Sequence, residues 1–121
     1  MIKIQNLKIY DLEERTLKFS KDVRVFIKWL PKTISNIEDG RQVVRSSGSM
    51  GANYIEANEA LSKKDFIHRI KICRKESKET RYWLKLIEAN NDTIPDQKCQ
   101  QLIVESHELM MIFGSIVRKS E

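Results

Sequence analysis

Between residues 63 and 88, the side chains Phe66, Ile70, Cys73, Ser77, Thr80, Leu84 and Ile87 recur in alternating steps of four and three. A helix turns by about 100° per residue, so this spacing places all seven on one face. Sustained over this length, it is the pattern of a helix packed end to end against other helices. A strand alternates every second residue and cannot bury such a set together. Ser62 just before the run, with Asp65 three residues later, is a capping-box-like start with Asp in place of Glu. This segment commits the chain to a helical bundle before anything else is considered.

Three more helices fit around it. The first covers about residues 11–30: Asp11 can cap it, Glu13 and Glu14 suit its first turn, and Pro31 ends it. Phe19, Val23, Phe26, Ile27 and Leu30 line one side. The second starts near Thr33 or Ser35 and reaches about Ala60, with an expected seam of Ile34, Ile37, Val44, Gly48, Gly51, Ile55 and Asn58. Its middle, Ser46-Ser-Gly-Ser-Met-Gly-Ala52, is a poor helix former, each glycine costing up to about 1 kcal/mol relative to alanine. Because the periodicity resumes in phase, a continuous helix closely approached by a neighbour is preferred to a break near Gly48. Asn90-Asn-Asp-Thr-Ile-Pro95 is the clearest turn. The fourth helix runs from about Pro95 to Arg118, with Leu102, Leu109, Phe113 and Ile116 on its seam, backed by Ile103, Met110 and Val117. Residues 1–10 alternate weakly and read as an N-terminal arm. Four helices with short connections make residues 1–121 a single domain, an all-α antiparallel up-down four-helix bundle.

The composition agrees. With 40% hydrophobic and 32% charged residues, four Gly and two Pro in 121, the chain has the balance of a soluble helical protein. No apolar run is long enough to span a membrane. Met1-Ile-Lys-Ile-Gln lacks the apolar stretch of a signal peptide, so the expected compartment is the cytoplasm. Two cysteines make no disulfide framework, and Cys73 falls on a seam position as a buried thiol.

The charge is concentrated. Residues 63–88 hold nine Lys or Arg against four acids, and that balance equals the +5 of the whole chain. On a helical projection Lys64, Lys71, Arg74, Lys75, Lys78, Arg81 and Lys85 lie away from the seam. Lys71 and Lys75, and Arg74 and Lys78, are like-charge pairs four residues apart, each costing a few tenths of a kcal/mol. A stripe that works against its own helix suits a polyanion such as nucleic acid, whose phosphates these seven side chains would contact. Tyr82 within the stripe could stack on a base. A solvated face is the plain alternative. The flank formed by Ile72, Glu76, Glu79, Trp83 and Leu86 carries large apolar residues outside the seam and is expected at an interface, with another subunit or a protein partner.

Catalytic patterns are sparse. Neither His68 nor His107 has Glu three residues before it, as a di-iron bundle requires. Cys73, Cys99, His68 and His107 lack the paired spacing of a zinc site. Glu56-x-x-Glu59 and Glu76-x-x-Glu79 resemble the carboxylate pairs with which all-α nucleotide pyrophosphohydrolases hold Mg²⁺. The last position there is Asp rather than Glu, and the expected lysine, aspartate and asparagine do not follow. No serine has a placed His and Asp, and Gly48-Ser-Met-Gly51 is not a phosphate loop. The expectation is a non-enzymatic protein with no metal and no cofactor.

Val44-Arg-Ser-Ser-Gly-Ser-Met-Gly-Ala-Asn-Tyr-Ile-Glu56, Asp65-Phe-Ile67 and Lys75-Glu-Ser-Lys-Glu-Thr-Arg-Tyr-Trp-Leu84 resemble the "four helix bundle protein" family. These are the 23S rRNA intervening-sequence proteins, once labelled S23 ribosomal proteins. The resemblance covers about residues 8–118. Ser49, Asn53 and Glu56 match one motif and Ser77 and Glu79 another; where the family often has Gly before that serine, this chain has Glu76. The resemblance implies an up-down bundle without established catalytic activity, assembled as a ring-like homo-oligomer, often a pentamer. Related accessory variability determinant proteins of retroelements are basic pentamers that bind nucleic acid and a reverse transcriptase. Ser49, Asn53, Glu56 and Ser77 are read as structural, with Asn53 and Glu56 bonding polar groups of the third helix to fix register.

Overall fold

The computed structural model describes residues 11–89 and 94–121. Among them are four helices and no strand: α1 (Leu12–Lys28), α2 (Ile34–Asn58), α3 (Lys63–Leu86) and α4 (Ile94–Ser120). The expected arm at residues 1–10 and most of the expected turn, residues 90–93, lie outside the described residues. Three helix starts are fixed by side chains that satisfy otherwise orphaned backbone N–H groups. Asp11 accepts from the Glu14 amide at 3.4 Å, Thr33 from Asn36 at 3.1 Å and Ser62 from Asp65 at 3.0 Å.

Each helix is antiparallel to its sequence neighbour, and α4 closes back on α1. Gly40 meets Ile27 and Gly51 meets Thr16 between α1 and α2. Asn36 pairs with Glu88, Ser46 with Thr80, and Asn53 with Arg69 between α2 and α3. The Cys99 thiol donates to the Leu84 carbonyl between α3 and α4, while Arg15 reaches Glu105 from α1 to α4. The core is filled by Phe19, Phe26, Met50, Ile70, Leu84, Leu109 and Phe113.

The seam of α3 is the one its spacing dictates: Ile70, Cys73, Ser77, Thr80, Leu84 and Ile87 are buried and Phe66 packs against them. On α1, Leu12 and Thr16 extend the buried face by two further turns. On α4, Cys99, Leu102, Ser106, Leu109, Phe113 and Val117 are buried, and Ile116 is only half-buried.

The expected seam of α2 is corrected. Ile34 is 85% exposed, Ile37 and Ile55 are exposed, and so is Asn58; the buried residues are Asn36, Gly40, Val43, Ser46, Ser47, Met50 and Ala57. The helix is turned by about one residue, or 100°, from the isoleucine stripe. Val43 and Met50 supply the large apolar contacts of this face, and the small residues Gly40, Ser46, Ser47 and Ala57 between them let the neighbouring helices approach. The helix is continuous, as expected, but Gly48 is not a site of close approach: a Cβ there would meet nothing within 4 Å. Gly51 and Gly40 are: a Cβ added there would lie 3.0 Å from Thr16 Oγ1 and 3.2 Å from Ile27 Cδ1.

Candidate nucleic-acid interface

The inward ridge of α3 faces the core, so the opposite side must face water. Lys64, Lys71, Lys75, Lys78 and Lys85 are exposed there. Arg74 and Arg81 are half-buried rather than fully outward as the helical projection places them: Arg74 packs beside Gly114 of α4, and Arg81 follows two turns along the same side of α3. Among the described residues, partial neutralisation of this face is confined to two lysines. Lys75 Nζ lies 3.6 Å from Glu79 Oε2, and Lys71 Nζ lies 3.8 Å from Glu121 Oε2. Both are solvent-exposed contacts, worth under about 1 kcal/mol each. Among the described residues no carboxylate lies within ion-pair distance of Lys64, Lys78, Lys85, Arg74 or Arg81. Tyr82 is exposed beside them, its ring 5.2 Å from Trp83 in an edge-on contact. A shallow depression of about 570 Å³ along Lys63, Lys64, Ile67, His68 and Lys71 continues the basic surface toward the helix start.

The flank beside this face divides. Leu86 is exposed, Ile72, Glu79 and Trp83 are half-buried, and Glu76 is buried within the chain. Trp83 packs against the core cluster. Glu76 Oε2 accepts from the Ser49 hydroxyl at 3.1 Å and lies 3.6 Å from Arg45 Nη1, while Arg45 Nη2 donates to Glu79 at 3.2 Å. A buried carboxylate is tolerated only with such partners. Its second oxygen, Oε1, has no hydrogen-bond partner, and neither has the Trp83 indole nitrogen.

The motif residues sort in the same way. Asn53 Nδ2 donates to the Ser49 carbonyl at 2.9 Å, and its Oδ1 accepts from Arg69 at 3.0 Å. Ser77 donates to the Cys73 carbonyl at 2.8 Å. Ser49, Asn53, Glu76 and Arg69 thus form a polar seam that pins α2 to α3 in one register. Glu56 is exposed and stays outside it. Arg45 and Arg69 complete the seam and were not legible as its members, because each looks like an ordinary surface cation until the two helices are paired.

Both thiols are inert by environment. Burial pushes Cys73 from its ordinary value near 9 up to about 12, and Cys99 up to about 11. Arg15 is raised, chiefly by its hydrogen bond to Glu105. No three His, Cys, Asp or Glu side chains converge as a metal site among the described residues. Glu56-Glu59 and Glu76-Glu79 therefore do not meet as one carboxylate cluster. Among these residues, no helix is long and apolar enough to cross a membrane.

Relatives of known structure share this bundle. The chain is similar to a crystallised protein of unknown function from the S23 ribosomal protein family of Bacteroides thetaiotaomicron VPI-5482. The two share 29% identity, with a TM-score of 0.72, over 87% of this chain and 96% of that one. No curated protein matches. The family model for the 23S rRNA-intervening sequence protein matches residues 5–115. With nearly the whole bundle inside that match, the chain belongs to the 23S rRNA-intervening sequence protein family.

Proposed function

We propose that this chain is a non-enzymatic, self-associating, cytoplasmic helical bundle that binds nucleic acid through the basic face of α3. The observation that carries the reading is the set of exposed lysines, Lys64, Lys78 and Lys85, that no described carboxylate neutralises. Such a face gains free energy when phosphates replace its own counterions, and releases those bound to the nucleic acid. RNA is preferred to DNA because the family is described by an rRNA intervening sequence. Self-association as a ring of five is part of the proposal. It is supported by exposed apolar side chains on α1, α2 and α4, among them Leu17, Val25, Ile55, Val104 and Met111, and by Trp29 just after α1.

Fluorescence anisotropy with a labelled single-stranded RNA tests the binding. The wild type binds at low salt, and the double reversal Arg74→Glu with Lys78→Glu abolishes binding without loss of helicity. Equal binding by both proteins refutes the reading. Size-exclusion chromatography with light scattering tests the assembly, and a monomer at micromolar concentration refutes it. A scaffold that holds a protein partner on the Trp83 flank is less well supported, because Glu76 and Trp83 already pack within the chain. Affinity for such a partner would survive the charge reversal.

A further inference from the structure

We infer that the seam between α3 and α4 at Gly114 is a phosphate-binding site, formed by Arg74 and Arg118, whose ligand is a backbone phosphodiester. This rests on the nucleic-acid reading above and extends it to a second helix. Gly114 is buried near the end of α4. A Cβ built on it would lie 3.4 Å from Arg118 Nη1 and 3.7 Å from Arg74 Cδ. Two arginines from two helices therefore lie over the same point of bare backbone. Arg118 reaches it from one turn further along α4, since helical side chains lean toward the N-terminus. Arg74 reaches it across the helix boundary.

The Arg118 guanidinium and the stem of the Arg74 side chain converge on this glycine, so two cationic side chains share one patch, and an anion bound there would relieve their mutual repulsion. Among the described residues neither has a carboxylate within ion-pair distance. Glu121, three residues beyond Arg118, lies against Lys71 instead. A third arginine continues the arrangement. Arg81 lies seven residues from Arg74 on the same side of α3, about 10 Å along the axis. Its buried Nε has no hydrogen-bond partner. Planar guanidinium forks match phosphate oxygens in a way that lysine ammonium groups do not. The exposed lysines supply attraction at a distance, and the arginine seam supplies a fixed place for a phosphate.

Matched charge changes separate a site from a diffuse field. Arg118 and Lys119 are adjacent exposed cations at the end of α4, so Arg118→Gln and Lys119→Gln alter the net charge equally. Anisotropy with single-stranded RNA at fixed salt should show about tenfold weaker binding for Arg118→Gln and less than twofold for Lys119→Gln. Gly114→Leu keeps every charge and fills the saddle; it should weaken binding as much as Arg118→Gln, with helicity checked by circular dichroism. Equal, small effects of Arg118→Gln and Lys119→Gln overturn the site while leaving RNA binding by the basic face intact. Inorganic phosphate at constant ionic strength provides a second arm. If the wild type binds no RNA, the function proposed above fails. The site then stands only if phosphate raises the melting temperature of the wild type and not of Arg118→Gln, as a free-anion site; without that shift it falls as well.

Discussion

The contact between α2 and α3 and the contact between α1 and α4 are built on different principles. The first is close and polar. Thr80 Oγ1 lies 2.7 Å from Ser46 Oγ, the Cys73 thiol donates to the Met50 carbonyl at 3.4 Å, and Ser49, Asn53, Arg69 and Glu76 bond along its edge. Small hydroxyl side chains let the two backbones approach, and each buried hydroxyl finds a partner. The second contact is clamped at one end and open at the other. Arg15 reaches Glu105 at 2.7 and 2.8 Å and Glu108 at 3.2 Å. Beyond that clamp a groove of about 490 Å³ opens between Phe19, Phe26, Trp29 and Leu102. The difference shows where the molecule is stiff. The basic face stands on α3, which is held by the closer contact, while α1 is attached along a less complete seam.

The contrast can be broken by substitution. Met50 is fully buried where α2 meets α3, and Met50→Ala should cost about 2–5 kcal/mol in chemical denaturation. Asn36 ties the start of α2 to the end of α3, donating to the Pro31 and Glu88 carbonyls and accepting from the Glu88 amide, each at 3.0 Å. Asn36→Ala leaves those backbone groups unpaired in a partly buried place and should cost about 1–3 kcal/mol.

Alkaline pH tests the same contact without mutation. Cys73 is raised to about 12 in the folded chain, so its thiol stays protonated where the unfolded chain has lost the proton. Its contribution is complete below about pH 9, its ordinary value, and is lost progressively as pH rises toward 12. Each thiol contributes about 1.4 kcal/mol of this loss at pH 10, and with Cys99 raised to about 11 as well the denaturation midpoint should fall by the equivalent of about 2–3 kcal/mol; thiol reagents at pH 8 should label Cys73 and Cys99 only after unfolding.

The clamp of α1 should matter less. Arg15→Ala is expected to cost at most about 1 kcal/mol, because the pair is partly solvated. It should speed hydrogen exchange in α1 while leaving the amides of α2 and α3 protected. Smallest of all, Ile34→Ser should change stability by no more than about 0.5 kcal/mol, because that side chain faces solvent. A large loss there would mean that α2 buries its isoleucine stripe after all.

That last substitution marks where reading the sequence succeeds and where it fails. The ridge of α3 was legible because its positions alternate four and three without a gap, and because large residues at Ile70 and Leu84 anchor the small ones between them. The caps Asp11 and Ser62 were legible because capping is a local event. The buried face of α2 was not. Ile34, Ile37 and Ile55 dominate any hydrophobic projection, whereas the true contact joins Val43 and Met50 to Asn36, Gly40, Ser46 and Ser47, whose value is their small size or a hydrogen bond. Hydrophobic periodicity weighs transfer from water, and close packing of small polar residues escapes it. Glu76 escaped for a related reason: its neighbours Ser49 and Arg45 belong to another helix, so its burial depends on pairing that no local window contains. The arginine saddle at Gly114 left only a faint trace, a helix-interior glycine four residues before an arginine.

The most direct test of the central idea, that α3 presents an uncompensated cationic face to a polyanion, is the salt dependence of RNA affinity. Association constants should be measured from 50 to 200 mM salt, an interval of order ten-to-hundredfold effect for a handful of phosphate contacts. For the wild type, the logarithm of affinity should fall linearly with the logarithm of salt, and Lys78→Gln with Lys85→Gln should reduce that slope by roughly 0.7 per lysine. A flat salt dependence, or an unchanged slope in the double variant, would contradict the account.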